Sequence, residues 1–448
     1  MTDTRDMTEG KILRQVIPLA VPLLLANMGQ QLYMIVDGSI VGRGIGAKAL
    51  ASVGASDWCY WLILWSSLSL THGFSTFVSR FFGRHDYSKM NRVITNGAVL
   101  TFVIGGLLTV VGLLVSRPLL ELLHTPGDII DDAVIYIRTM LSGTLIVAAY
   151  NFTAAILRAL GNGKAPLVAM GIAALVNIGL DLLFVLVFQW GIFGAAIASV
   201  LAQLLSFLYC LHRIRRIEII RITREDWKMD WPLSFRMLAF SIPIAVSFII
   251  VAVSGIILQS TVNKLGSIYV AGFTAPNKLY GILEATSLAL GQAFATFLSQ
   301  NYGAGKFDRV KEGTRKGVLL ALLMALAVTA LIVPFIRPLL SCFIDASEKD
   351  AAAIMAVAWK YMFIMTVSIV LVYPIHIYRG ALQSVGNSIW PMISGFAESL
   401  ARALMGTAAV VLVSTEAIFY AEPVSWLFAL LFVIVPYYLV RRKVLVSG

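Results

Sequence analysis

Asp37 closes an apolar stretch that begins near Val16 and passes Pro18, Pro22, Asn27, Gln30 and Gln31. Asp181 lies in a second such stretch, four residues after Asn177, so amide and carboxylate share one helical face. A carboxylate deep in a transmembrane helix costs at least ~2.5–3.5 kcal/mol on insertion scales, and it marks an ion or proton path by default. Carboxylate and amide oxygens are hard ligands that suit Na+. Two close acids also titrate as a coupled unit and can hold a proton between them. Ion or proton coupling is the expectation for Asp37, Asn177 and Asp181. The competing reading makes the two acids separate structural groups that satisfy polar helix contacts.

The elements that must position these residues are membrane helices. The chain has 448 residues, of which 59% are hydrophobic and 13% charged, and its mean hydropathy is +0.84. A soluble protein is about a quarter charged. Alternating ten-residue strands are absent from the sequence, which argues against an outer-membrane barrel. The long apolar runs read as helices, which satisfy their own backbone in lipid. Twelve spans are expected, near 15–42, 47–80, 92–116, 131–157, 166–188, 192–214, 236–263, 269–300, 314–336, 351–381, 390–413 and 418–440. The first run is too long for a signal h-region, and Asp3, Asp6 and Glu9 precede it. Cys59, Cys210 and Cys342 are too scattered for a disulfide framework.

Lys and Arg separate by side. Alternate connections carry 25 of the 35 basic residues, including Arg80, Arg84, Lys89 and Arg92, the group from Arg213 to Arg236, and Arg379. The opposite connections are acidic or neutral, as at Asp128, Asp131 and Asp132. The positive-inside rule then puts both termini in the cytoplasm. The net charge of +11 follows this membrane pattern, so no nucleic-acid partner is expected. Counted at 1.5 Å per residue, Asp181 lies ~22 Å along its helix from Pro166, and Asp37 lies ~30 Å from Ile17. Both acids therefore belong in the outer half of the bilayer.

The two halves resemble each other. Ser75-Thr76-Phe77-Val78-Ser79 matches Ala295-Thr296-Phe297-Leu298-Ser299, and Arg117-Pro118-Leu119-Leu120 matches Arg337-Pro338-Leu339-Leu340. Gly161-Asn162 with Pro166 matches Gly386-Asn387 with Pro391, and Pro22 matches Pro243. A parallel repeat of six helices follows, with residues 1–212 as one lobe, 213–234 as a cytoplasmic linker and 235–448 as the other lobe.

On these residues the chain resembles the multidrug and toxic compound extrusion (MATE) transporters. The segments that carry the likeness are Met7-Thr8-Glu9-Gly10, Pro22-Leu23-Leu24-Leu25-Ala26-Asn27, Gln30-Gln31-Leu32-Tyr33, Val36-Asp37, Ala49-Leu50-Ala51-Ser52-Val53-Gly54, Leu157-Arg158-Ala159-Leu160-Gly161-Asn162 and Gln300-Asn301-Tyr302-Gly303-Ala304-Gly305. The resemblance implies an all-α integral membrane fold: twelve helices in two pseudo-symmetric six-helix lobes around a central cavity. It implies export of cationic and other amphipathic drugs in exchange for Na+ or H+, with no other cofactor. It further implies a monomer in the bacterial inner membrane.

The resemblance also assigns residues. Asp37, Asn177 and Asp181 match the family's first- and fifth-helix groups, Ser199 stands where some members carry a threonine ligand, and Pro22 matches a helix-bending proline. For the drug cavity, Asn27, Gln30, Gln31, Tyr33, Met34, Trp61, Trp65 and Tyr280 offer polar, aromatic and thioether surfaces that suit organic cations. Glu284 could attract a cation or pair with Lys278, and His376 could relay protons. Glu398 and Arg402, four apart, read as an internal ion pair. The seventh- and tenth-helix acids of some branches are missing here. Enzyme motifs such as HExxH, GxSxG and the phosphate-binding loop are missing as well. The rival reading is a flippase for a lipid-linked saccharide, which Arg402 and Lys278 keep open.

Overall fold

The computed structural model describes residues 4–123, 125–344, 350–411 and 415–444, excepting the side chains of residues 35, 47, 57–59, 61–63, 410, 415, 443 and 444. Among the described residues all regular structure is helical. The chain divides into two compact units, Met1–Ala245 and Val246–Gly448.

The first unit holds α1 (Ile12–Gly44), α2 (Ala47–Gly83), α3 (Tyr87–Leu122), α4 (Ile130–Ser142), α5 (Thr144–Ala159), α6 (Lys164–Asp181), α7 (Gly191–Arg215) and the start of α8 (Trp231–Lys264). Helices α4 and α5 form one rod bent by 45° at Gly143. A side chain at Gly143 would meet Val200 Cγ2 at 2.5 Å, so the bend sits where α7 passes close. Pro18 and Pro22 lie inside α1, where each removes a backbone donor and loosens the ladder.

The second unit holds the rest of α8, then α9 (Ser267–Gly303) and α10 (Phe307–Ile332). A 3-10 turn at Val333–Phe335, which carries Pro334, leads into α11 (Ile336–Ser341). Helices α12 (Ala351–Ser384), α13 (Ile389–Val411), α14 (Thr415–Phe419) and α15 (Ala421–Val444) complete it. With α4–α5 and α10–α11 taken as single rods and the short α14 set aside, twelve long helices stand where the apolar runs predict them.

Nine of these helices, or ten with the bent pair, are long and apolar enough to cross a bilayer among the described residues. Helices α2 and α13 are not in that set, and α13 carries Glu398 and Arg402 mid-helix. Leu107, Leu114 and Leu175 are 61, 72 and 75% exposed, which suits lipid rather than water as the surrounding solvent.

Two polar segments are tied down in the first unit. The Arg5 N–H donates to Leu160 O at 2.8 Å, and Met7 and Thr8 are buried. Gly161 beneath them has φ +81°, and a side chain there would meet Arg5 O at 2.7 Å. The stretch between α7 and α8 docks on α3. Asn91 Nδ2 donates to Arg221 O at 3.1 Å, and Asn96 Oδ1 accepts from Asp230 N at 2.8 Å and from Ser234 Oγ at 3.0 Å. Cys210 and Cys342 are free thiols, and the Cys59 side chain lies outside the described residues.

Candidate functional site

Three helices of the first unit bring one polar cluster together. Helix α1 supplies Tyr33 and Asp37, one turn apart. Helix α6 supplies Asn177 and Asp181, and α7 supplies Ser199. Asn177, Asp181 and Ser199 are buried and Asp37 is half-buried. With the Asn177 amide turned to suit its neighbours, its nitrogen donates to Asp181 Oδ2 at 2.7 Å. Its oxygen then accepts from Ser199 N and Oγ, both at 3.2 Å. Tyr33 Oη lies 3.2 Å from Ser199 Oγ.

The Asp37 and Asp181 carboxyls stand within hydrogen-bonding reach of each other. Their Oδ1 atoms are buried and have no hydrogen-bond partner among the described residues. A carboxyl pair bonds directly only when one member carries a proton, because two carboxylates have no hydrogen to share. The alternative filler is a hard cation bound by the same oxygens. The donor set therefore fits either a proton or Na+. Neither acid forms an ion pair with a basic side chain among the described residues.

The local structure changes directly after Asp181. That residue ends the regular part of α6, and residues Leu182–Val187 widen into a π-helical turn closed by Phe188 N–H to Leu183 O at 2.8 Å. Such turns rotate the following side chains off the α register and recur at functional sites.

The remaining expected residues are spread over both units. Pro22 is buried in α1 below the cluster; Asn27 and Gln31 are half-buried, and Gln30 and Met34 are exposed. The Trp61 side chain lies outside the described residues. Tyr33, expected at the drug cavity, reaches Ser199 with its hydroxyl and so also joins the carboxyl cluster. In the second unit the Tyr280 ring stacks on Trp426 at 5.4 Å. Glu284 forms no ion pair among the described residues, Lys278 is exposed, and buried His376 Nε2 has no hydrogen-bond partner there.

The second unit has a charged chain of its own. Arg402 Nη2 pairs with Glu398 Oε1 at 3.0 Å and with Glu422 Oε2 at 2.7 Å. Arg402 Nη1 donates to Ser254 Oγ and to Val251 O. Arg379 Nη2 pairs with Glu398 Oε2 at 2.8 Å and donates to Ser394 Oγ at 3.0 Å. The Glu398–Arg402 pair is therefore the centre of a longer chain. Arg379, counted above among the connecting segments, lies inside α12 and is a member of it. Ser254 and Glu422 were not singled out from sequence. Their partners lie in other helices, and no local spacing announces them.

Two sets of six long helices, with a charged cluster in each set and exposed apolar side chains along the helices, describe a polytopic membrane protein built by duplication. The MatE family model matches residues 22–183 and 243–407, and the chain belongs to that family. It is 31% identical over 305 residues to the probable multidrug resistance protein YpnP of Bacillus subtilis, covering 68% of each chain. It is 26% identical over 401 residues to the probable multidrug resistance protein YoeA of the same organism, covering 87% of this chain and 85% of that one. A crystal structure of MATE in the bent conformation superposes with a TM-score of 0.90 at 20% identity, over 98% of this chain and 97% of that one. The protein is a membrane transporter and not an enzyme.

Proposed function

We propose that the protein exports organic cations and other amphipathic drugs from the cytoplasm in exchange for inward Na+ or H+. It would lie in the inner membrane with both termini cytoplasmic. One observation carries this reading: Asp37 and Asp181 approach each other on α1 and α6 with buried oxygens that lack protein donors. The multidrug resistance names of the relatives support drugs as the cargo class.

In this mechanism a proton or Na+ enters between the two carboxyls, and Asn177, Ser199 and Tyr33 hold the surrounding oxygens. Charge repulsion between α1 and α6 then falls. Helix α1 changes its bend at Pro22, where the missing N–H leaves the ladder open, and the drug is released outward. The coupling works only because the ion binds the two conformations with different affinity. Glu284, Tyr280 and Trp426 offer a carboxylate and stacked rings, the chemistry that holds an organic cation. The flippase reading is weakened because Arg402, its best anion-binding group, is already engaged by Glu398 and Glu422.

The test is ethidium efflux from proteoliposomes under a Na+ gradient and, separately, a pH gradient. One gradient should drive efflux, and Asp37→Asn should abolish it while the chain still folds and inserts. Undiminished efflux in Asp37→Asn would sink the proposal.

A further inference from the structure

The two charged clusters occupy corresponding places in the two repeats. Asn162 Oδ1 accepts from Ala165 N at 3.0 Å and caps α6; Asn387 Oδ1 accepts from Trp390 N at 3.1 Å and caps α13. Counted from these caps, Asn177 corresponds to Arg402 and Asp181 to Gly406. Counted from Pro22 in α1 and Pro243 in α8, Tyr33 corresponds to Ser254 and Asp37 to Leu258. Thus both acids of the first cluster are lost in the second repeat. A guanidinium stands where the amide was.

We propose that Arg402 is a tethered cation, holding in the second repeat the place that a diffusible ion takes between the carboxyls of the first. Its Nη atoms reach every element expected of a bound cation there: Val251 and Ser254 on α8, Glu398 on its own helix and Glu422 on α15. The acids are re-supplied from new positions, Glu398 one turn before Arg402 and Glu422 from the next helix. The chain Arg379–Glu398–Arg402–Glu422 alternates in sign and sums to zero, so it needs no ion from solution. Arg402 and Glu398 are 6 and 8% exposed in their side chains, a closed setting that excludes bulk water. This four-residue chain therefore keeps its charge constant through the cycle. Arg402 acts as a positioning residue: it fixes α8, α13 and α15 to one point.

The inference rests on reading the Asp37–Asp181 cluster as a cation site, but its test is separate. Guanidinium chloride at millimolar concentration is titrated calorimetrically into the full purified chain. Wild type should bind no guanidinium at this position. Arg402→Ala should bind one equivalent, and Arg402→Ala with Glu398→Gln should bind none. Efflux lost by more than tenfold in Arg402→Ala should return in part with guanidinium, and Arg402→Lys should keep more activity than Arg402→Ala. A folded Arg402→Ala protein that takes up no guanidinium, or that transports like wild type, overturns the proposal. If Arg402→Ala does not fold, the quadruple variant Arg379→Gln, Glu398→Gln, Arg402→Met, Glu422→Gln decides, because it leaves no charge of the chain unpaired. It removes cations and counter-charges together and should fold and keep ion-driven efflux; failure to fold would also overturn the idea. Asp37→Asn, tested on its own, separates failure of the coupling reading from failure of this one.

Discussion

In the first unit Asp37 and Asp181 face each other without a basic partner among the described residues, whereas in the second Glu398 and Glu422 share Arg402 at 3.0 and 2.7 Å. Both clusters hang on the same helices of the repeat: α1, α6 and α7 in one, α8, α13 and α15 in the other. A satisfied polar network rigidifies its surroundings, while one with open positions waits for a ligand. On the coupling proposed above, duplication left one copy to be completed by an ion and one completed by its own side chain.

The sharpest way to break this comparison is to unbalance each cluster and read stability. Arg402→Met strands Glu398 and Glu422, and we predict a loss of ~3–5 kcal/mol, as for other broken buried pairs. Asp181→Asn removes one of two like acids and should cost less than ~1 kcal/mol, because the amide keeps its hydrogen bonds. Denaturation of the detergent-solubilised chain measures both, and equal losses would erase the distinction. Transport should rank the other way within the first unit. Asp181→Asn is expected to slow ion-driven ethidium efflux at least ~tenfold, which is ~1.4 kcal/mol in the coupled step.

The twelve-helix order was legible because lipid demands long apolar runs, and those runs are visible in composition. The Asn177–Asp181 spacing was legible for a similar reason, since i and i+4 share a face whatever the tertiary structure. Other features had no such local signature. Leu182–Val187 reads as ordinary apolar helix, yet it forms a π-turn directly after Asp181. Tyr33 meets Ser199 only through the packing of α1 on α7, so its aromatic ring suggested a drug contact instead. Arg379 looked like an end-of-helix charge because its counter-ion, Glu398, lies on another helix. The bend at Gly143 depends on the approach of Val200, which no count along the chain shows.

Two smaller effects sharpen the comparison. Pro22→Ala restores a backbone donor in α1 and should reduce coupled efflux severalfold, whereas Pro243→Ala, its counterpart in α8, should change it by less than ~twofold (well under 1 kcal/mol). Similar effects from both prolines would mean that both halves bend. Ser199→Ala removes one hydroxyl of the first cluster, worth ~0.5–1.5 kcal/mol. The ion concentration for half-maximal efflux should rise accordingly, and an unchanged value would take Ser199 out of the site.

The strap formed by Arg5, Met7 and Thr8 has a consequence for how the protein is made and handled. These residues leave the ribosome before their seat does: Leu160 and Gly161 do not exist until two-thirds of the first unit has been synthesised. The strap must therefore wait, undocked, through the insertion of four spans, and then thread into a slot that rejects even a methyl group on Gly161. A reporter or affinity handle fused directly ahead of this segment would compete with that late docking.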